Sequence, residues 1–126
     1  MNMRHTIRFL LATVTATSAL LLTATAASAS EYTVQAEGQN RGFGGADDDG
    51  LRVYACDTFG DNWGVRTHYT YRNHTGGTAT RTVSDANGVT TGCGEQNMSA
   101  SAPALSYQVC TGRAGADTVC GPWTRL

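Results

Sequence analysis

Alternation of apolar and polar side chains is strongest between residues 51 and 72. Apolar residues occupy every second position in residues 51–55, and the same period returns in residues 65–71. A period of two is typical of a strand with one buried face. Residues 59–62 between the two runs read FGDN and contain the residue types that reverse a chain tightly. The pattern therefore predicts two strands joined as a β-hairpin.

The length of the turn decides which residues of this hairpin face each other. A three-residue loop at residues 60–62 pairs Val53 with Tyr69 and Leu51 with Tyr71, which leaves one clean apolar face. A four-residue loop would mix apolar and polar side chains on both faces, because a slip of one residue turns every side chain over. We therefore predict the three-residue loop. The outer face is then expected to carry two neighbouring pairs, Tyr54 beside His68 and Cys56 beside Arg66.

Shorter alternating runs predict the remaining strands at residues 31–36, 78–84, 89–91, 105–110 and 118–123. The run at 78–84 is expected at a sheet edge. Residues 85–88 (DANG) predict a turn, and the glycine-rich or polar segments 37–50 and 92–103 predict loops. From residue 30 onward we find no run of helical period. The fold class is therefore all-β: a small antiparallel β-sandwich of immunoglobulin-like architecture, or a small barrel.

The first 29 residues have the pattern of a secretory signal peptide. Arg4, His5 and Arg8 supply a positive start, residues 9–22 form an apolar run, and Ala27-Ser28-Ala29 gives a small-x-small cleavage pattern. We predict that residues 1–29 are removed on export and that residues 30–126 form a single domain without a membrane anchor.

The four cysteines all follow the predicted signal. An even number in an exported chain is typical of disulfides, and four cysteines allow three connectivities. Cys110 and Cys120 flank a glycine-containing loop between two strand-like runs, so we pair them and assign Cys56 to Cys93. Cys56 and Cys110 are in phase with the polar faces of their strands. We therefore expect the bridges at the rim or outer surface, and the core disulfide of immunoglobulin domains is disfavoured.

Charge and composition limit the classes of partner that the protein can bind. After the predicted signal the chain carries seven arginines and ten carboxylates, a net charge of −3, and it contains no lysine. Such a surface argues against sequence-independent binding to nucleic acid or to anionic membranes. The sequence also lacks a C-x-x-C pair and histidines at ligand spacing from a cysteine, so we predict no metal site and no cofactor.

Four segments together resemble a group of small secreted actinobacterial proteins with two disulfides. They are CDTFGDNWGVRTHY, VSDANG, GCGE and VCTGRAGADTVCGPW. The resemblance spans nearly the whole chain after the signal. It implies bacterial export and an all-β fold, and it implies no catalytic residues. The subtilisin-inhibitor family and the chromoprotein antibiotic carriers share this size and compartment, but their motifs do not occur here.

The chemistry of the side chains favours binding over catalysis. The sequence has no G-x-S-x-G elbow, and His68 lacks an evident orienting carboxylate, so we expect no enzyme. We expect instead an extracellular binding protein whose partner is another protein or a polysaccharide. Tyr54, Trp63 and His68 are candidate contacts for such a partner.

The alternative is an inhibitor of a trypsin-like protease. The loop closed by Cys110 and Cys120 contains one basic residue, Arg113, which is the side chain that the acidic specificity pocket of such a protease accepts. A loop held by a disulfide loses little conformational entropy on binding.

Overall fold

The computed structural model describes residues 30–86, 90 and 92–126. The predicted signal at 1–29, and most of the predicted turn and strand at 85–91, lie outside these residues. The described chain forms nine strands: β1 Ser30–Ala36, β2 Gln39–Ala46, β3 Arg52–Asp57, β4 Trp63–Arg72, β5 Thr78–Asp85, β6 Gly94–Asn97, β7 Ala104–Arg113, β8 Val119–Cys120 and β9 Thr124–Arg125. None of the described residues forms a helix that is long and apolar enough to cross a membrane.

The strands form two antiparallel sheets packed face to face. The first sheet has the order β1-β2-β3-β6, and the second has the order β5-β4-β7-β8, with β9 also paired to β7. The apolar core lies between them and takes residues from both sheets, with these members buried: Val34, Ala46, Val53, Ala55, Val65, Tyr69, Val83, Ala104, Tyr107 and Val109. The predicted all-β sandwich is therefore confirmed.

The predicted hairpin between β3 and β4 is wrong. β3 pairs with β2 and β6, whereas β4 pairs with β5 and β7, so the two strands belong to different sheets. The predicted buried face is nevertheless correct, because Val53 and Tyr69 are both buried in the core between the sheets. Alternation specifies which side of a strand is buried, and it does not specify which strand lies beside it. Because β3 and β4 are not neighbours, the predicted pairs Tyr54 with His68 and Cys56 with Arg66 do not form.

The predicted loop at residues 37–50 is also wrong over most of its length, because it contains β2. Three glycines in this strand suppress its strand propensity, yet the packing requires at least one of them. A Cβ atom on Gly44 would lie 2.2 Å from the Thr67 hydroxyl of the opposite sheet and 2.9 Å from the Tyr54 carbonyl oxygen. Gly44 therefore allows β2 to pack closely against β4, a use of glycine in strands that propensity scales do not register.

The other predicted strands agree with the structure to differing degrees. β1 and β7 occupy the predicted runs, and β5 lies at the edge of its sheet as expected. β6 is a short strand within the segment 92–103, which we predicted as a loop. Of the predicted last strand at 118–123, only Val119–Cys120 (β8) is a strand, and the second short strand, β9, begins beyond that range at Thr124.

Both disulfides join the predicted partners. Cys56 is bonded to Cys93 across 37 residues, and Cys110 to Cys120 across 10 residues. The first connects β3 to the residue just before β6 within one sheet, and the second connects β7 to β8 within the other. Neither bridge crosses between the sheets, so the arrangement differs from the core disulfide of immunoglobulin domains.

We predict that Gly44→Ala destabilises the fold. The added methyl group must displace Thr67 or Tyr54, and overpacking of this kind costs about 1–3 kcal/mol. Chemical denaturation measures the change in the free energy of unfolding. Gly60→Ala is the matched control, because a Cβ atom there meets nothing within 4 Å, and it should change the same free energy by less than about 0.5 kcal/mol. Equal stability of the two variants would contradict the close approach of the sheets.

Candidate functional site: a cleft at one end of the sandwich

A solvent-open cleft of about 800 Å³ lies at the end of the sandwich where the chain passes from β3 to β4. Its walls come from the β3–β4 loop, from Ser84 near the end of β5 and Ala86 just after it, and from the β7–β8 turn at Ala114 and Gly115. Volumes of this size are typical of sites for small ligands.

The floor of the cleft includes main chain without side chains. Gly64 of β4 and Gly112 of β7 are paired with each other, and both line the cleft. A Cβ atom on Gly112 would lie 1.7 Å from the Ala116 carbonyl oxygen, so the return of the chain in the β7–β8 turn requires glycine there. A Cβ atom on Gly64 would lie 3.3 Å from the Ala86 methyl carbon. At both positions the neighbouring chain occupies the space that a side chain would need, so the two residues contribute only main chain to the cleft.

The β3–β4 loop is shaped by its own side chains. The Asp57 carboxylate accepts a hydrogen bond from the Phe59 N–H (3.1 Å), and the Asp61 carboxylate accepts one from the Trp63 N–H (3.0 Å). Asn62 has a φ of 64°, a conformation that asparagine tolerates better than most residues. These local bonds give the loop a defined conformation in which Phe59 lines the cleft and is 46% exposed.

A buried arginine fastens this loop to the rest of the protein. Arg41 of β2 is only 4% exposed, and its guanidinium donates hydrogen bonds to Asp61, to Glu37 and to the Ala36 carbonyl oxygen. Its guanidinium carbon also lies 4.5 Å from the centroid of the Trp63 ring. Such a group is stable in the interior because its charge is paired and its donors are occupied.

Trp63 and Arg113 belong to the same cluster. The guanidinium carbon of Arg113 lies 4.8 Å from the Trp63 centroid, and one of its nitrogens lies 3.6 Å from the Glu37 carboxylate. Trp63 lines the cleft and is 4% exposed, and its indole nitrogen has no hydrogen-bond partner among the described residues. The structure therefore brings these two predicted binding residues together, but Arg113 packs against an aromatic ring instead of projecting freely.

The pKa of Asp61 reflects this pairing. Partial burial acts to raise it, but the hydrogen bonds from Arg41 and from the Trp63 N–H outweigh desolvation and hold the pKa below its ordinary value. Asp61 is therefore ionised at neutral pH and held by its partners.

Arg66 also lines the cleft and is held by the β7–β8 loop. It donates hydrogen bonds to the Asp117 carboxylate and to the Ala116 carbonyl oxygen. Burial acts to raise the pKa of Asp117, but the hydrogen bonds from Arg66 and His68 prevail and lower it. The positive charge at this wall is thus already compensated.

The predicted contact His68 lies outside the cleft, on the outer face of the second sheet. One ring nitrogen lies 2.7 Å from the Thr82 hydroxyl, and the other lies 2.6 Å from Asp117. A hydroxyl, an imidazole and a carboxylate in this order are the groups of a nucleophilic triad. Here, however, they stand on an open sheet face and do not line the cleft. Their evident effect is to fasten Asp117, and with it the β7–β8 loop, to the sheet.

The same region brings one atom each of His68, Cys110 and Asp117 within 4.8 Å of one another, which is compact enough to consider a metal ion. The Cys110 sulfur is bonded to Cys120 and so is not a thiolate. Since metals bind the thiolate form of cysteine, this group does not fit a metal site.

Tyr54 is on the outer face of the first sheet, on the opposite sheet from His68. It is only 6% exposed, because the Phe43 ring packs edge-on against it, the Arg52 guanidinium lies 5.2 Å from its centroid, and its hydroxyl donates a hydrogen bond to the Glu31 carboxylate. Burial together with the Glu31 charge raises the pKa of Tyr54 to about 12. The expectation of an exposed Tyr54 beside His68 is therefore wrong.

Sequence reasoning missed most of the cleft. Phe59, Asn62 and Ser84 line it, and none was a predicted site residue. The sequence does contain one signal for this cleft, the aromatic residue in the turn FGDN. A turn on the protein surface rarely buries such a ring, so Phe59 could have been expected to be exposed. The role of Arg41 in the cleft had no signal in the sequence, since Asp61 and Trp63, which it contacts there, are about 20 residues away along the chain.

No protein-family model matches the chain, and no curated protein or solved structure matches it either. The chemistry of the cleft is therefore the basis for assigning a function.

We predict that Asp61→Asn lowers stability and weakens its dependence on acid. Removing the charge leaves buried Arg41 undercompensated, which should cost about 1–3 kcal/mol at pH 7. Because the pKa of Asp61 is lowered in the folded state from 3.8, its contribution is present above that value and is lost as the pH falls through the folded pKa.

The measurement is the free energy of unfolding at several pH values between neutral and strongly acid. Glu95→Gln is the matched control, since Glu95 pairs with Arg52 at the surface, where both side chains are more than 40% exposed, and it should cost less than about 1 kcal/mol. An acid profile of Asp61→Asn that parallels the unmodified protein would contradict the assignment.

Proposed function

We propose that the protein is a secreted, non-enzymatic binding protein and that the end cleft is its ligand site. The observation that carries this proposal is the cleft itself: about 800 Å³, with a main-chain floor, an exposed aromatic wall and polar groups at its rim. A concave site of mixed character at the end of a β-sandwich is the usual form of a ligand site carried on loops above a rigid scaffold.

The rigidity of the walls supports a binding role. Arg41 fixes the β3–β4 loop through Asp61, and Arg66 fixes the β7–β8 loop through Asp117. The two disulfides restrain the strands that lead into these loops. A site whose walls are already ordered loses little conformational entropy when a ligand enters, so more of the contact energy is available for affinity.

The state of the charged groups supports binding without catalysis. Asp61 and Arg66 line the cleft, and each is already hydrogen-bonded to an oppositely charged partner within the protein. A carboxylate whose pKa is held below its ordinary value is a poor proton donor or acceptor near neutral pH. The cleft therefore favours recognition over acid–base chemistry.

Two features support an extracellular location. Two disulfides are typical of proteins in oxidising compartments. The signal-peptide pattern in residues 1–29 supports secretion by an independent route.

We predict that small ligands of one chemical class bind at the cleft. The experiment is an NMR titration with chitotetraose, cellotetraose, 1-naphthol and hexylamine, in which the amide signals of Gly64 and Gly112 and the Trp63 indole signal report on the cleft. Ser84→Trp, which places a large ring in the cleft, should abolish the shifts. Thr80→Trp is the matched control, because Thr80 is equally an exposed residue of β5 but does not line the cleft. A titration in which no probe moves these signals would overturn the proposal.

The protease-inhibitor hypothesis is the second candidate, and the observation in its favour is the exposure of Arg113. Its side chain is 61% exposed at the end of a hairpin closed by a disulfide. The tip of that hairpin, however, is Ala114-Gly115, both at positive φ in a tight turn, so Arg113 lies beside the tip. To enter a protease pocket its guanidinium must leave Trp63 and Glu37.

We therefore expect no inhibition of trypsin-like proteases at micromolar concentrations of the protein, as measured by hydrolysis of a chromogenic arginine substrate. Inhibition that Arg113→Ala removes and Arg125→Ala retains would make the inhibitor function the better of the two. Arg125 is a suitable control because it is an exposed arginine on the short strand β9.

A further inference from the structure

We propose that the ligand of the cleft is a neutral saccharide. This inference rests on the proposed function, since it names the chemical class that the same cleft accepts. It follows from which groups of the cleft are already occupied and which are left to meet a ligand.

The charged groups of the cleft are occupied by internal partners. Asp61 is bound by Arg41, and Arg66 is bound by Asp117. The carboxylate of Asp57 accepts the Phe59 N–H, and the Asp57 N–H is itself bound by Asp85. A charged ligand would have to compete with these contacts or enter without a counter-charge, and both cost free energy. A neutral ligand avoids this cost.

The polar groups that remain available are neutral. Asn62 and Ser84 both line the cleft and are exposed, and their side chains make no hydrogen bond to the described part of the chain. A carboxamide supplies two donors and one acceptor group, and a hydroxyl supplies one donor and two lone pairs. Together they match the hydroxyl groups of a sugar, each of which can both donate and accept hydrogen bonds.

The apolar surface of the cleft completes the match. Phe59 lines the cleft and is 46% exposed, so it offers an aromatic ring to a ligand. A pyranose ring has a flat face of C–H groups that packs against an aromatic ring, and its edge carries hydroxyls. The geometry points to a sugar whose C–H face lies on Phe59 and whose hydroxyls meet Asn62 and Ser84.

The experiment measures affinities for chitotetraose, cellotetraose, xylotetraose and laminaritetraose by calorimetry. Phe59→Ala should weaken binding by about 10- to 100-fold, because the stacked ring is lost. Trp123→Ala is the matched control, since Trp123 is 48% exposed but lies outside the cleft. It should leave the affinity unchanged.

Two further variants test the hydrogen bonds without disturbing the fold. Asn62→Gly removes the carboxamide and keeps the positive φ at no steric cost, and Ser84→Ala removes one hydroxyl. Each should weaken binding by about 2- to 10-fold, whereas Thr80→Ala should have no effect. Because the interaction is neutral, the affinity should stay within about twofold between 50 mM and 500 mM salt, where screening would weaken a charged ligand.

The outcomes separate this inference from the proposed function. If 1-naphthol or hexylamine binds at the cleft and the saccharides do not, the saccharide inference fails and the binding function stands. If a saccharide binds and Phe59→Ala and Ser84→Trp leave its affinity unchanged, the sugar binds elsewhere and both proposals fail. If no probe binds at all, both fail as well.

Discussion

The close approach of the two sheets at β2 is the constraint on which the rest of the structure depends. Gly44 allows the Thr67 side chain of β4 to reach across and donate a buried hydrogen bond, 2.7 Å long, to the Tyr54 carbonyl oxygen of β3. The sheets are therefore joined by a directional bond as well as by apolar contacts. A bond of this kind fixes the positions of β3 and β4 relative to each other. Apolar packing alone does so less well, because it tolerates small changes in the shape of the contact. The loop between these strands consequently starts and ends at fixed points.

Arg41 then determines what that loop can do. Its guanidinium is buried at the end of the sandwich and reaches Glu37 of the β1–β2 turn, Asp61 of the β3–β4 loop and the face of Trp63. A buried guanidinium is costly unless every partner is in place, so the ordering of these loops is coupled to the folding of the domain. The cleft wall is therefore ordered together with the rest of the domain, and Phe59 stands exposed on it.

The sequence predicts which face of a strand is buried better than it predicts which strands lie side by side. The alternation around Val53 and Tyr69 identifies the buried faces correctly, because burial follows from local side-chain period. The same alternation contains no information on whether β3 and β4 lie side by side or face to face, and we predicted the wrong arrangement. β2 was missed because Gly44 has poor strand propensity, although its lack of a side chain is what the packing needs. The cleft was missed because it joins loops that are distant in the sequence.

The position of the cleft follows from the point at which the chain changes sheets. β3 ends at Asp57 and β4 begins at Trp63 on the opposite layer, so the crossing loop spans the open end of the sandwich. The disulfides lie beside this point, since Cys56 directly precedes Asp57, and Cys110 lies two residues before Gly112 on the cleft floor. In the chain-entropy model the two bridges contribute about 4 and about 3 kcal/mol. Both bridges therefore restrain strands that lead into the walls of the cleft.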